Sequence, residues 1–152
     1  MENSLEMTNI VKKFGSGHTE VTALKNIDFA IKPGEFIAVI GPSGSGKSTF
    51  LTIAGGLQTP TSGKIKIGTA DFTNLSEKER AKLRLEHIGF ILQGSNLIPF
   101  FTILEQFKFI DKVEKRPFQR DKFNKLMKSL DIESLINKKP RDLSGGERQR
   151  VA

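Results

Sequence analysis

The chain has 152 residues and carries 24 Lys and Arg against 17 Asp and Glu, a formal net charge of +7. That length supports one domain with a buried core, and the absence of cysteine excludes a disulfide framework and any thiolate metal site, which fits a reducing, cytosolic compartment. No apolar stretch approaches the roughly 20 residues of a membrane span, and the polar start Met1-Glu2-Asn3-Ser4 lacks the parts of a secretory signal, so a soluble chain is expected.

Leu5 to Val11 and Leu24 to Ile31 read as strands, the second through an imperfect alternation of Leu24, Ile27, Phe29 and Ile31, with Gly15-Ser16-Gly17-His18 as the turn between them. Pro33-Gly34 is a second turn. It feeds Phe36-Ile37-Ala38-Val39-Ile40, an unbroken apolar run of strand length. Gly41-Pro42-Ser43-Gly44-Ser45-Gly46-Lys47-Ser48 follows, a complete G-x-x-x-x-G-K-[ST] phosphate loop, and Ser48 to Ala54 reads as the helix such a loop opens. Strand, loop and helix in that order predict a nucleoside triphosphate site. The glycines at 41, 44 and 46 lack a Cβ and let successive backbone N–H groups approach phosphate oxygens, while the helix directs its positive end at the same anion. Lys47 is placed to reach the β- and γ-phosphates, and the Ser48 hydroxyl to complete a Mg²⁺ shell with phosphate oxygens and water. Ser43 and Thr49 belong to the same nucleotide-binding set.

Beyond the loop helix, Pro60-Thr61-Ser62-Gly63 punctuates the chain and Lys64 to Gly68 alternates as a short strand. Ser76-Glu77-Lys78-Glu79 spells a capping box and opens a charged helix through about Arg84. Ile88-Gly89-Phe90-Ile91-Leu92 returns to an apolar strand ending at Gln93. From Thr102 the period is helical, with Ile103, Leu104, Phe107 and Ile110 on one stripe and Phe123, Leu126, Met127 and Leu130 on the next. Much of the positive surplus lies in Lys108 to Arg116 and around Lys138 to Arg141, where interrupting acids favour a solvated face over a nucleic-acid groove. Leu143-Ser144-Gly145-Gly146-Glu147 then enters a last helix: a hydroxyl, bare backbone N–H groups and a helix dipole, a second anion-binding device.

The pair of motifs, a phosphate loop followed about a hundred residues later by Leu143-Ser144-Gly145-Gly146-Glu147, resembles the ATP-binding-cassette (ABC) ATPases. The resemblance runs from about Leu5 to Ala152 and implies an α/β P-loop NTPase fold with an N-terminal antiparallel β part and a helical subdomain. It implies a β and phosphate-loop core over about 1–93, a helical subdomain over about 94–143, and the signature motif over 143–152. Implied further are ATP and Mg²⁺ as cofactors, Phe14 stacking on adenine, and Gln93 helping to hold Mg²⁺ and the attacking water, so that Lys47 and Gln93 stand as the catalytic residues. Ser144, Gly145 and Gly146 would contact the γ-phosphate held by a second copy in a head-to-tail dimer. The expected partners are that copy and an integral membrane permease, with no nucleic acid. The expected place is the inner face of the cell membrane.

Gly94 to Pro99 is similar to the macrolide-export, lipoprotein-releasing and heme-export group, and Arg84 to Phe90 with Leu51 to Leu57 leans toward the heme-export type. The function implied is therefore the ATP-binding subunit of a membrane exporter. An ABC ATPase acting on nucleic acid or ribosomes, or an inactive truncated remnant, are the alternatives. In the family the Walker B aspartate, the catalytic glutamate and the switch histidine follow the signature helix, and no residue through Ala152 takes those roles. His18 and His87 read as surface or packing residues. The chain by itself is thus expected to hydrolyse poorly and to be marginally stable, with exposed sheet edges.

Overall fold

The computed structural model describes residues 3–92 and 94–152, in two compact units, Met1–Gly89 and Phe90–Ala152. In the first unit, β1 (Leu5–Phe14), β2 (Val21–Ile31), β3 (Ser62–Ile67) and β4 (Ala70–Asp71) form one sheet in the order β2-β1-β3-β4. Every pairing is antiparallel, with Leu5 facing Ile31 on one side of β1 and Ile67 on the other.

The sheet explains the imperfect alternation. Met7 and Ile10, three residues apart, both point into the core, although an unbroken strand would send them to opposite faces. The register shifts between them, Asn9 sits at φ +51°, and its N–H donates to Asp28 Oδ1 at 2.7 Å. This bulge inserts one residue and resets the alternation. Asn26, at φ +53°, marks the corresponding step between the buried Leu24 and the partly buried Ile27 on β2.

Against this face lies α1 (Lys47–Ala54), which buries Ile53 completely beside Met7, Ile10, Leu24, Ile65 and Phe72. Burying a side chain of that size stabilises by about 1.5–3 kcal/mol. Phe50 of α1 meets Phe29 edge to face, with centroids 5.0 Å apart. The charged helix α2 (Glu77–His87) starts at the Ser76–Glu79 capping box and runs one turn past Arg84, whose guanidinium donates to Gly56 O at 2.8 Å.

In the second unit, α3 (Ile103–Val113), α4 (Arg120–Ser129) and α5 (Gly145–Val151) enclose Ile103, Phe123, Met127, Ile132, Leu135, Leu143 and Val151. The two stripes read from the sequence both form helices, but Ile110 and Leu126, expected in the core with the rest, are 48% and 40% exposed. The first turn of α3, whose N–H groups have no partners within the helix, is satisfied by Lys138 O on Ile103 N–H and Ile136 O on Leu104 N–H, at 3.1 and 3.0 Å.

Two expected strands are absent. Residues 36–40 and 88–92 are extended or irregular backbone, with Phe36, Ile40 and Ile91 at 94%, 89% and 88% exposure. Both runs have strand composition, but a strand exists only where another backbone takes up its N–H and C=O groups. No described segment pairs with either, so the sheet of this chain is antiparallel throughout.

Candidate functional site

The phosphate-loop residues fold as a turn into α1, and one of the glycines is required there by space as well as by backbone angle. Gly46 is the N-cap of α1 at φ +89°, and a Cβ there would lie 2.7 Å from Ala23 O and 3.1 Å from Leu24 Cδ2. Gly41, at φ +154°, would place a Cβ 2.8 Å from Ser45 Oγ. Gly44, at φ +77°, faces open space, so only its backbone angle calls for glycine.

The result is a cleft of about 270 Å³ backed by Ala23 and lined by Ser43, Gly44, Gly46, Lys47, Ser48 and Thr49. Its lining contains one cation and no carboxylate. Lys47 Nζ donates to Gly41 O at 2.8 Å and Pro42 O at 2.6 Å, which bends the side chain back over the loop. Among the described residues, backbone bonding starts with Phe50 N–H on Gly46 O at 2.8 Å, and no backbone carbonyl accepts from Lys47, Ser48 or Thr49 N–H. Three amide donors, a cation and three hydroxyls thus share one concave surface. That donor set fits an anion with several acceptor oxygens, such as a polyphosphate.

The described residues contain no group of three or more His, Asp or Glu side chains able to hold a metal. Mg²⁺ held through phosphate oxygens and water needs only one or two protein ligands, and the exposed Ser48 hydroxyl fits that role. Gln93, the other expected metal and catalytic residue, lies outside the described residues.

Phe14 ends β1, paired with Val21, two residues or about 7 Å along β2 from the cleft-lining Ala23. Its ring is 41% exposed, and the Lys12 ammonium lies 5.1 Å from the ring centroid. A planar base stacking there would share the ring with that cation.

In the second unit Ser144 caps α5. Its Oγ accepts from Glu147 N–H at 3.2 Å and its own N–H donates to Glu147 Oε2 at 2.7 Å. The Ser144 N–H and then its hydroxyl, directed at the Glu147 carboxylate, with Lys138 and Arg150 nearby, hold that carboxyl below its usual pKa. A Cβ added at Gly145 or Gly146 would meet nothing within 4 Å, so the glycine face of the signature is open. His18 and His87 are both exposed. Asp71 accepts from Thr73 N–H at 2.8 Å, a turn contact that, with the Thr73 hydroxyl, lowers its pKa.

Two contributors escaped the sequence reading. Ala23 left no signal, because its role is to let Gly46 approach its carbonyl. Gln106 did leave one, as a polar residue within the Ile103–Ile110 stripe. It is 8% exposed, and its Oε1 accepts from Ile98 N–H at 3.0 Å in the loop after Gln93.

A sequence profile of the ABC transporter family matches residues 24–152. The chain is 41% identical over 151 residues to a protein of Staphylococcus haemolyticus that bears the name of a hemin import ATP-binding protein, HrtA, covering 98% of this chain and 68% of that one. The HrtA protein of Staphylococcus aureus is 40% identical over the same span. Among solved structures, the dimeric post-hydrolysis state of the ATP-binding cassette MJ0796 bound to ADP and Pi superposes with a TM-score of 0.89 at 38% identity, over 97% of this chain and 66% of that one. A second dimeric structure of that cassette gives 0.86. The chain therefore spans about two thirds of the length of the proteins it matches. The staphylococcal names carry import, so the export direction expected from the sequence finds no support among them.

Proposed function

The chain belongs to the ABC transporter family of ATP-binding cassettes, and from that premise we propose that it is the Mg·ATP-binding part of a transporter's cassette subunit. The observation that carries the reading is the start of α1, where unclaimed amides, the Lys47 ammonium and the Ser48 hydroxyl line one cleft. Lys47 exchanges its two loop carbonyls for β- and γ-phosphate oxygens. Gly44 and Gly46 bring their amides against the same oxygens, and Ser43 and Thr49 add hydroxyl donors. Ser48 Oγ serves as a Mg²⁺ ligand, with Gln93 as the second. Phe14 supplies a stacking face for the base, tolerant of base identity.

Ser144, Gly145 and Gly146 serve a different nucleotide, the one held by a second copy. The dimeric state of the cassette MJ0796 supports this head-to-tail reading. ATP hydrolysis is an activity of the whole cassette, coupled to an integral membrane permease, which places the subunit at the inner membrane face. The described residues contain no helix long and apolar enough to cross a membrane. Hemin is the proposed cargo, on the names of the staphylococcal relatives. Net uptake or release of hemin by cells carrying the complete transporter decides the direction.

Equilibrium dialysis of Mg·ATP against the chain, beside Lys47→Ala, tests the nucleotide site. Saturable binding that falls at least about tenfold in the variant, or roughly 1.4 kcal/mol, is expected. Equal binding by both chains, or none by either, overturns the proposal.

A further inference from the structure

Between α3 and α4 lies a pocket of about 160 Å³ that the nucleotide reading leaves unused. Phe107, Ile110, Phe118, Phe123 and Leu126 supply its apolar lining, and Asp111, Arg116 and Lys122 line it as well. Ile110 and Leu126 are 48% and 40% exposed, so two apolar walls stand in water. Phe118 packs against Phe123, with centroids 5.4 Å apart.

Phe118, one of the lining rings, is flanked by cations. Lys108 Nζ and the Arg120 guanidinium lie 5.8 and 6.0 Å from the Phe118 ring centroid. Arg116 is paired with Asp111 and Glu114. Among the described residues, Lys108, Lys112, Arg120, Lys122 and Lys125 form no ion pair at all. The segment 107–126 contains seven Lys and Arg against three Asp and Glu, a net charge of +4 out of the chain's +7. An apolar hole of one-side-chain volume within unpaired cations is complementary to an apolar anchor flanked by carboxylates.

We propose that this pocket is a docking site for an acidic peptide segment of a partner protein, which inserts one leucine or phenylalanine between Ile110 and Leu126 and sets its carboxylates against Lys108, Arg120 and Lys122. Concavity favours a peptide over an anionic membrane, since a flat lipid surface is met by protruding side chains rather than by a hole. No residue of the pocket belongs to the nucleotide-binding set, so docking stands or falls independently of ATP.

The test uses a short fluorescein-labelled helical peptide with a central Phe flanked by Glu, titrated into the full chain and followed by anisotropy. Two further peptides replace Phe with Ser or Glu with Lys. Phosphatidylglycerol vesicles are titrated in parallel. Saturable binding of the Phe–Glu peptide is expected, weakened at least about tenfold by either peptide change and by Lys122→Glu, a solvent-exposed position. Chemical-shift changes of the Ile110 and Leu126 methyl groups in the unmodified chain locate the peptide without relying on any variant. Binding that ignores the Phe or the charges, shifts that miss both methyls, or a preference for the vesicles overturns the proposal.

Discussion

Gly46 shows how much one missing methyl group decides. Its positive φ and the 2.7 Å approach that a Cβ would make to Ala23 O both bear on one residue, whereas Gly44 carries only the backbone constraint. Gly44→Ala should therefore cost about 1–2 kcal/mol of backbone strain. Gly46→Ala should cost more, because β2 must also move away from α1, and the cleft walls move with it. Chemical denaturation ranks the two variants, and Mg·ATP dialysis should show the larger loss for Gly46→Ala; equal effects would mean the Ala23 contact carries no weight. Gln106 is the second residue of this kind. Replacing it with Leu keeps most of the volume but removes the acceptor for the half-buried Ile98 N–H, at a cost below the roughly 1–3 kcal/mol of a fully buried unsatisfied donor. Faster hydrogen exchange at Ile98 than at its neighbours in the variant is the expected signature, and Gln106→Glu, which keeps an acceptor, should restore protection.

Three helices begin with the same device. Ser76–Glu79, Thr102–Glu105 and Ser144–Glu147 each exchange a hydroxyl-to-amide bond for a carboxylate-to-amide bond. In each case the Ser or Thr partner holds the glutamate below its usual pKa. The sign follows: a depressed folded-state value means the caps' contribution is fully present above the ordinary glutamate value of about 4.3 and is lost as pH falls through the depressed values. Helical circular dichroism should therefore weaken in acid below about pH 4, and Glu→Gln at all three positions should flatten that dependence. An unchanged acid profile would show that the caps do not govern it. Ser144→Ala should cost α5 about 1 kcal/mol, read as faster exchange at Glu147 N–H. Of these caps the Ser76–Glu79 one is read from the sequence, because residues three apart complete it, whereas the structure adds the other two. The phosphate loop is legible for the same reason, since its glycines, lysine and serine act within eight consecutive positions. The strands expected at 36–40 and 88–92 are a different case: composition shows that the residues suit a strand, while the partner that would make one is a matter of distant chain. The bulges at Asn9 and Asn26 lie between these extremes, visible as broken alternation but explained only by the pairing register.

At the scale of the whole molecule, each unit has its own apolar core, and what they leave uncovered is concentrated in a few segments. Phe36, Ile37, Val39 and Ile40 are exposed in the first unit, and Phe90, Ile91 and Leu92 in the second. An extended run with free backbone groups and large apolar side chains is a template for any strand that reaches it. Attraction between copies at these runs competes with the repulsion that a net charge of +7 supplies. Contact at the runs is short-ranged and insensitive to salt, whereas charge repulsion is screened beyond about 10 Å at 0.1 M salt. Association should therefore rise with ionic strength. Placing a charge within each run, as Phe36→Lys and Ile91→Lys, should slow the growth of light scattering on warming several-fold, most strongly at low salt where the added repulsion is least screened. Far-UV circular dichroism should stay unchanged, since neither side chain packs in a core. Scattering that grows as fast in the double variant would mean that copies meet through another surface, and the exposed Phe100, whose ring meets the half-buried Phe101 edge to face, is where the next charge would go.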